Sequence, residues 1–145
     1  MTSSTPEFVL TVTVGFALGE RGDGVAYASL AEADGSDGLL VRVGFRCRPL
    51  PALHGRDVVY AALDAVATVI LRRPADVVVF RIDDEAIVAD RIERRSVPAA
   101  LAIPYVRLGC TLNRFRATTL VAAADRRTRD LTARAQAEAT LQIAA

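Results

Sequence analysis

FVLTVTVGFALGERGDGVAYASLAEADGSDGLLVRVGF, Phe8 to Phe45, decides the fold class. Phe8, Leu10, Val12 and Val14 alternate with Val9, Thr11 and Thr13, a β-branched pattern with a two-residue period that reads as a strand. Gly19-Glu20-Arg21-Gly22-Asp23-Gly24 supplies turn residues, and Val25 to Ala31 resumes an apolar strand. A second turn, Asp34-Gly35-Ser36-Asp37-Gly38, leads into a third extended run from Leu39 to Phe45. Two glycine-rich turns between three extended runs predict an antiparallel meander.

The period changes after Pro49-Leu50-Pro51. Val59, Leu63, Val66, Ala67 and Ile70 recur at helical spacing between Arg56 and Arg72, and Pro74 stops that helix. Val77 to Ile82 is a short continuous apolar run, the pattern of a strand covered on both faces. Asp83 or Asp84 is placed to cap a following helix that runs to about Arg95. Pro98 breaks it, and Pro104 suits the first position of another helix, from Tyr105 to Phe115. Thr118 to Ala123 reads as a last strand, and the stretch from Asp125 to about Ile143 as a closing helix. The order β-β-β-α-β-α-α-β-α predicts an α/β domain. Its five-stranded mixed sheet has three antiparallel strands followed by two parallel ones, flanked by helices.

The chain of 145 residues fits one domain, expected over residues 8–143, with residues 1–7 as a frayed start. There is no basic segment leading into an apolar one, so no secretory signal is expected. The apolar stretches Val58 to Leu71 and Val97 to Ile103 fall short of the roughly 20 residues that a membrane span needs. A cytoplasmic location is the expectation. The net charge is +1, which supplies no global field toward nucleic acid, although local patches act independently of it. All 18 basic residues are arginine, a usage that points to a GC-rich genome more than to a function. Cys47 and Cys110 lack a ligand-spaced partner and read as reduced, buried thiols.

Four segments resemble the ribonuclease H-like superfamily, especially its small single-domain reverse-transcriptase-associated members. Val14 to Ala28 is similar to the family's first hairpin with its glycine-rich turn. Val59-Tyr60-Ala61-Ala62-Leu63-Asp64-Ala65-Val66 resembles the family's first helix. Arg81-Ile82-Asp83-Asp84-Glu85-Ala86-Ile87-Val88 resembles the end of the fourth strand, and Arg126 to Ala135 the opening of the final helix. The resemblance covers about Phe8 to Ala139 and implies a nuclease ancestry. Such enzymes cut the RNA strand of an RNA–DNA hybrid with two divalent ions, usually magnesium, held by converging carboxylates.

The implied acidic set is incomplete. Val14 stands at the first-strand position and Val58 or Val59 at the first-helix position, so only Asp83 and Asp130 match. Valine offers no lone pair. The expectation is therefore a degenerate, non-catalytic domain serving as a binding or assembly module without a cofactor, with a homodimer or another protein as partner. The alternatives are a divergent nuclease using Asp83, Asp130 and magnesium, and a non-cleaving binder of RNA or an RNA–DNA hybrid. For that binder, Arg116, Arg126, Arg127 and Arg129 are the candidate backbone contacts, within a basic run that includes Arg114 and Arg134.

Each of these residues also has a plainer role. Asp83 reads as a helix N-cap and Asp130 as a first-turn acid favoured by the helix dipole. Glu20 and Asp23 read as hairpin residues and His54 as a solvated loop residue. Asp84, Glu85 and Asp90, with Arg91, Glu93, Arg94 and Arg95, read as an exposed, salt-bridged helix face.

Overall fold

The computed structural model of the chain describes residues 8–32, 37–93 and 96–144. The alternating run forms β1 (Val9–Leu18), followed by β2 (Asp23–Glu32) and β3 (Asp37–Arg46). Next come α1 (Arg56–Ile70), β4 (Val77–Ile82), α2 (Glu85–Ile92), α3 (Ala102–Leu112), β5 (Ala117–Ala122) and α4 (Arg126–Ala144). One five-stranded sheet runs β3-β2-β1-β4-β5. β1 pairs antiparallel with β2, and β2 with β3; β4 lies parallel to both β1 and β5. The expected α/β class, element order and strand directions all hold. The expected frayed start and most of the second turn lie outside the described residues.

The two faces of the sheet carry different cores. Leu10, Val12, Val14, Ala28, Phe80 and Ile82 join the larger core with Leu63 and Ile70 of α1 and Leu108 of α3. On the other face Val25 and Tyr27 meet Leu131 and Ala135 of α4. The crossing is closest at Gly15. A Cβ there would fall 2.5 Å from the carbonyl carbon of Leu131 and closer still to the nitrogen of Thr132. Further along α4, Glu138 accepts from Arg42 Nε at 2.8 Å and from the Tyr27 hydroxyl at 2.6 Å, which ties the helix to β2 and β3.

Several local expectations are corrected. Asp84, not Asp83, caps α2: its backbone is extended and its Oδ1 accepts from Ile87 N at 2.9 Å. Pro104 is the third residue of α3, where its missing N–H costs no helical bond because that turn has no acceptor for it. Asp90 is not on an exposed face. It is 4% exposed and its Oδ2 accepts from the Tyr60 hydroxyl at 2.9 Å and from Arg56 Nη2 at 2.7 Å, which pins α2 against α1. Arg94 and Arg95 lie outside the described residues. Cys47 is half-buried, but Cys110 is exposed, because α3 turns Leu108 and Leu112 inward and Cys110 outward. His54 is a solvated loop residue as expected, in the left-handed region at φ 51° beside Gly55 at φ 84°.

Because backbone atoms of α4 occupy the space over Gly15, Gly15→Ala must displace the helix. Urea unfolding is expected to show a loss of about 2 kcal/mol, within the usual range for overpacking. A variant as stable as the parent would contradict this crossing.

Candidate functional site at the carboxy ends of the parallel strands

The carboxy ends of β1, β4 and β5 lie together and feed the amino ends of α2 and α4. Register places Thr13 beside Arg81 and Val14 beside Ile82, with Ala28 on the other side of Val14. Ile82 in turn neighbours Ala122, and its carbonyl accepts from both Asp84 N and Ala123 N at 2.9 Å. Alternation sends Val14 and Ile82 into the α1 core, each 1% exposed. Thr13 and Arg81 therefore project to the α4 side.

On that side a charged bridge joins three elements. Arg81 Nη1 donates to Thr13 Oγ1 at 3.2 Å, and Arg81 Nη2 donates to Asp125 Oδ2. The other oxygen of Asp125 accepts from Thr128 N at 3.0 Å, so Asp125 is the residue that caps α4. The Arg81 hydrogen bond, aided by the Thr128 N–H, holds the Asp125 carboxyl at about 2, well below its ordinary value. Neither Arg81 nor Asp125 was assigned this role from the sequence. They lie 44 residues apart, and no local motif links them.

The structure separates the expected site residues. Asp83 follows β4 directly and is exposed. Asp130 lies beyond the first turn of α4, so the dipole role expected of it falls to Asp125 instead. It is exposed, sits 3.8 Å from Arg126 Nε, and lines an open groove with Ser29 and Leu40. Val58 and Val59, 9% and 6% exposed, pack into the larger core. Among the described residues, no three His, Cys, Asp or Glu side chains come together as a metal-binding group.

The arginines divide between the two ends of β5. Arg116 precedes the strand and pairs with Asp76 at 3.3 Å, beside the start of β4. Arg126, Arg127 and Arg129 follow it on the first turns of α4, roughly 20 Å away at strand rise. Arg134 instead stacks over the Tyr27 ring, 4.9 Å from its centroid.

No protein-family model matches the chain, and no curated protein matches its sequence. Solved structures do resemble it. RNase H1 from the halophilic archaeon Halobacterium salinarum NRC-1 superposes with a TM-score of 0.73 at 15% identity, covering 92% of this chain and 98% of that one. The amino-terminal RNase H domain of a Mycobacterium tuberculosis protein, solved as a fusion with maltose-binding protein, gives 0.70 at 19% identity over 95% and 99%. LC11-RNase H1 in complex with an RNA/DNA hybrid gives 0.61 at 13% identity over 90% and 99%. The chain has the ribonuclease H-like fold.

The Asp125 carboxyl is lower in pKa folded than unfolded. Its stabilising contribution is thus complete above about pH 4 and lost as pH falls toward about 2. Asp125→Asn is expected to be less stable than the parent at neutral pH, with the gap closing in that window. Denaturant midpoints measured between pH 2 and 7 check this, and a gap independent of pH would contradict the bridge.

Proposed function

We propose that this chain is a single, cytoplasmic ribonuclease H-like domain over residues 8–143 that does not cleave nucleic acid and serves as a binding or assembly module. The observation that carries the reading is Val14. In the implied nuclease pattern this position supplies a carboxylate beside Asp83; here it is a 1%-exposed core residue wedged between Ala28 and Ile82.

The side chains present do not fit a pair of divalent ions. Hard cations need several converging oxygens. At the implied positions the chain offers Asp83 and Asp130, both exposed, together with buried Val14 and either Val58 or Val59, whose side chains have no oxygen to give. An additional acid on the α4 side, Asp125, is engaged by Arg81 and by the α4 amino end. A guanidinium thus supplies fixed positive charge in this region. No catalytic step is derived through magnesium.

Two partner classes suit such a module. A second copy or another protein is the first, since a surface freed from catalysis is available for contact. An RNA–DNA hybrid or RNA is the second. It is favoured by Arg126, Arg127 and Arg129 standing at the same end of the sheet as Asp83. One structural neighbour was solved with a hybrid bound. No helix among the described residues is long and apolar enough to cross a membrane.

The test is a cleavage assay on a labelled RNA–DNA hybrid with magnesium or manganese, comparing the parent with Asp83→Asn. No cleavage by either protein is expected. Metal-dependent cleavage that disappears in Asp83→Asn would overturn the reading and make Asp83 catalytic.

A further inference from the structure

A cavity of about 480 Å³ opens between the end of β3, the outer side of α1 and the start of α3. That volume falls in the range of roughly 300–1,000 Å³ typical of small-ligand sites. Three arginines line it: Arg46 from the end of β3, Arg48 from the segment after it, and Arg107 from α3. Arg46 is held only loosely, 3.6 Å from Asp23 with both side chains more than half exposed. Among the described residues, the guanidinium groups of Arg48 and Arg107 make no hydrogen bond or ion pair.

Two acids of α1, Asp57 and Asp64, line the same cavity. Asp57 is 6% exposed and its Oδ2 accepts from Leu50 N at 2.8 Å, which fixes the loop that forms the rim. Asp64 accepts the Thr111 hydroxyl on Oδ1 and makes no such bond through Oδ2. Phe45, Ala61, Ala65 and Pro104 supply apolar surface within it. A cavity built only to follow a sugar–phosphate strand gains nothing from two carboxylates, which repel it. Arginines and carboxylates in one cavity with apolar lining fit a ligand that carries both an anionic group and hydrogen-bond donors.

We propose that this cavity binds a small phosphorylated molecule of nucleoside-monophosphate size. Arg48 and Arg107, assisted by Arg46, take the phosphate oxygens in charge-assisted hydrogen bonds. Asp64 Oδ2 accepts from a ring or sugar donor, and the apolar lining receives the ring. The site stands apart from Asp83 and Asp130, and the proposal holds whether or not the sheet end binds a hybrid.

Calorimetric titration of guanosine and adenosine monophosphate into the full chain tests it, with inorganic phosphate and a short RNA–DNA hybrid as parallel titrants. The proteins are the parent, Arg48→Ala, Arg107→Ala and Asp64→Asn. Both arginines are exposed and unpartnered, so their variants are expected to melt at the parent's temperature. Each should bind the nucleotide at least about tenfold more weakly, the loss that follows from removing a hydrogen bond to a charged group. Asp64→Asn should weaken the nucleotide but not inorganic phosphate. The proposal is overturned if no nucleotide binds, if folded arginine variants bind like the parent, if phosphate alone binds as tightly, or if only the hybrid binds.

Discussion

The crossing of α4 over β1 at Gly15 is the constraint on which the candidate site of this molecule depends. The helix backbone lies where a side chain would be, so α4 can sit against β1 only because residue 15 has none. Leu131 and Ala135 then reach Val25 and Tyr27, and Glu138 reaches Arg42 and Tyr27. With the helix fixed along this line, its amino end arrives beside the end of β4, and Asp125 meets Arg81. Asp130, one turn on, faces the groove beside Ser29 and Leu40.

From that placement the chemistry of the sheet end follows. The α1 face of β1 and β4 is closed by Val14 and Ile82, whose burial drives the packing of α1. The α4 face holds an ion pair whose charges compensate each other and whose anion also caps a helix. An acid replacing Val14 would enter the core without a partner, at a cost of several kcal/mol. Core packing and a cluster of acids therefore compete at this position.

Much of the fold was legible because its signals are local. The two-residue period from Phe8 to Val14, the turn glycines and the helical spacing from Val59 to Ile70 each specify an element from a few neighbours. The parallel pairing of β4 with β1 and β5 follows from connectivity. The side-chain clusters were less legible because their interactions join distant residues. Asp90 looked like one acid in an exposed charged run, yet it accepts from Tyr60 and Arg56, 30 and 34 residues earlier. Asp83 and Asp84 are equal as capping residues on paper, and only the backbone turn after Ile82 gives the role to Asp84. Arg48 and Arg107 carry no local signal of a site, because their convergence requires α3 to pack beside α1. A hint was present in Asp125-Arg126-Arg127-Thr128, an aspartate three residues before a threonine at a helix start, which marks Asp125 as a cap.

We propose that apolar packing at Val14 and at Val58 or Val59 leaves no set of acids among the described residues able to hold divalent ions. The most direct measurement is a manganese titration of isotopically labelled protein, followed by paramagnetic broadening of its backbone amide signals. Only weak, scattered broadening at exposed acids is expected, with no common saturation for residues 13–15, 83–84 and 130. Saturable broadening confined to those three segments at one metal concentration would contradict it, because the acids would then share an ion despite the two valines.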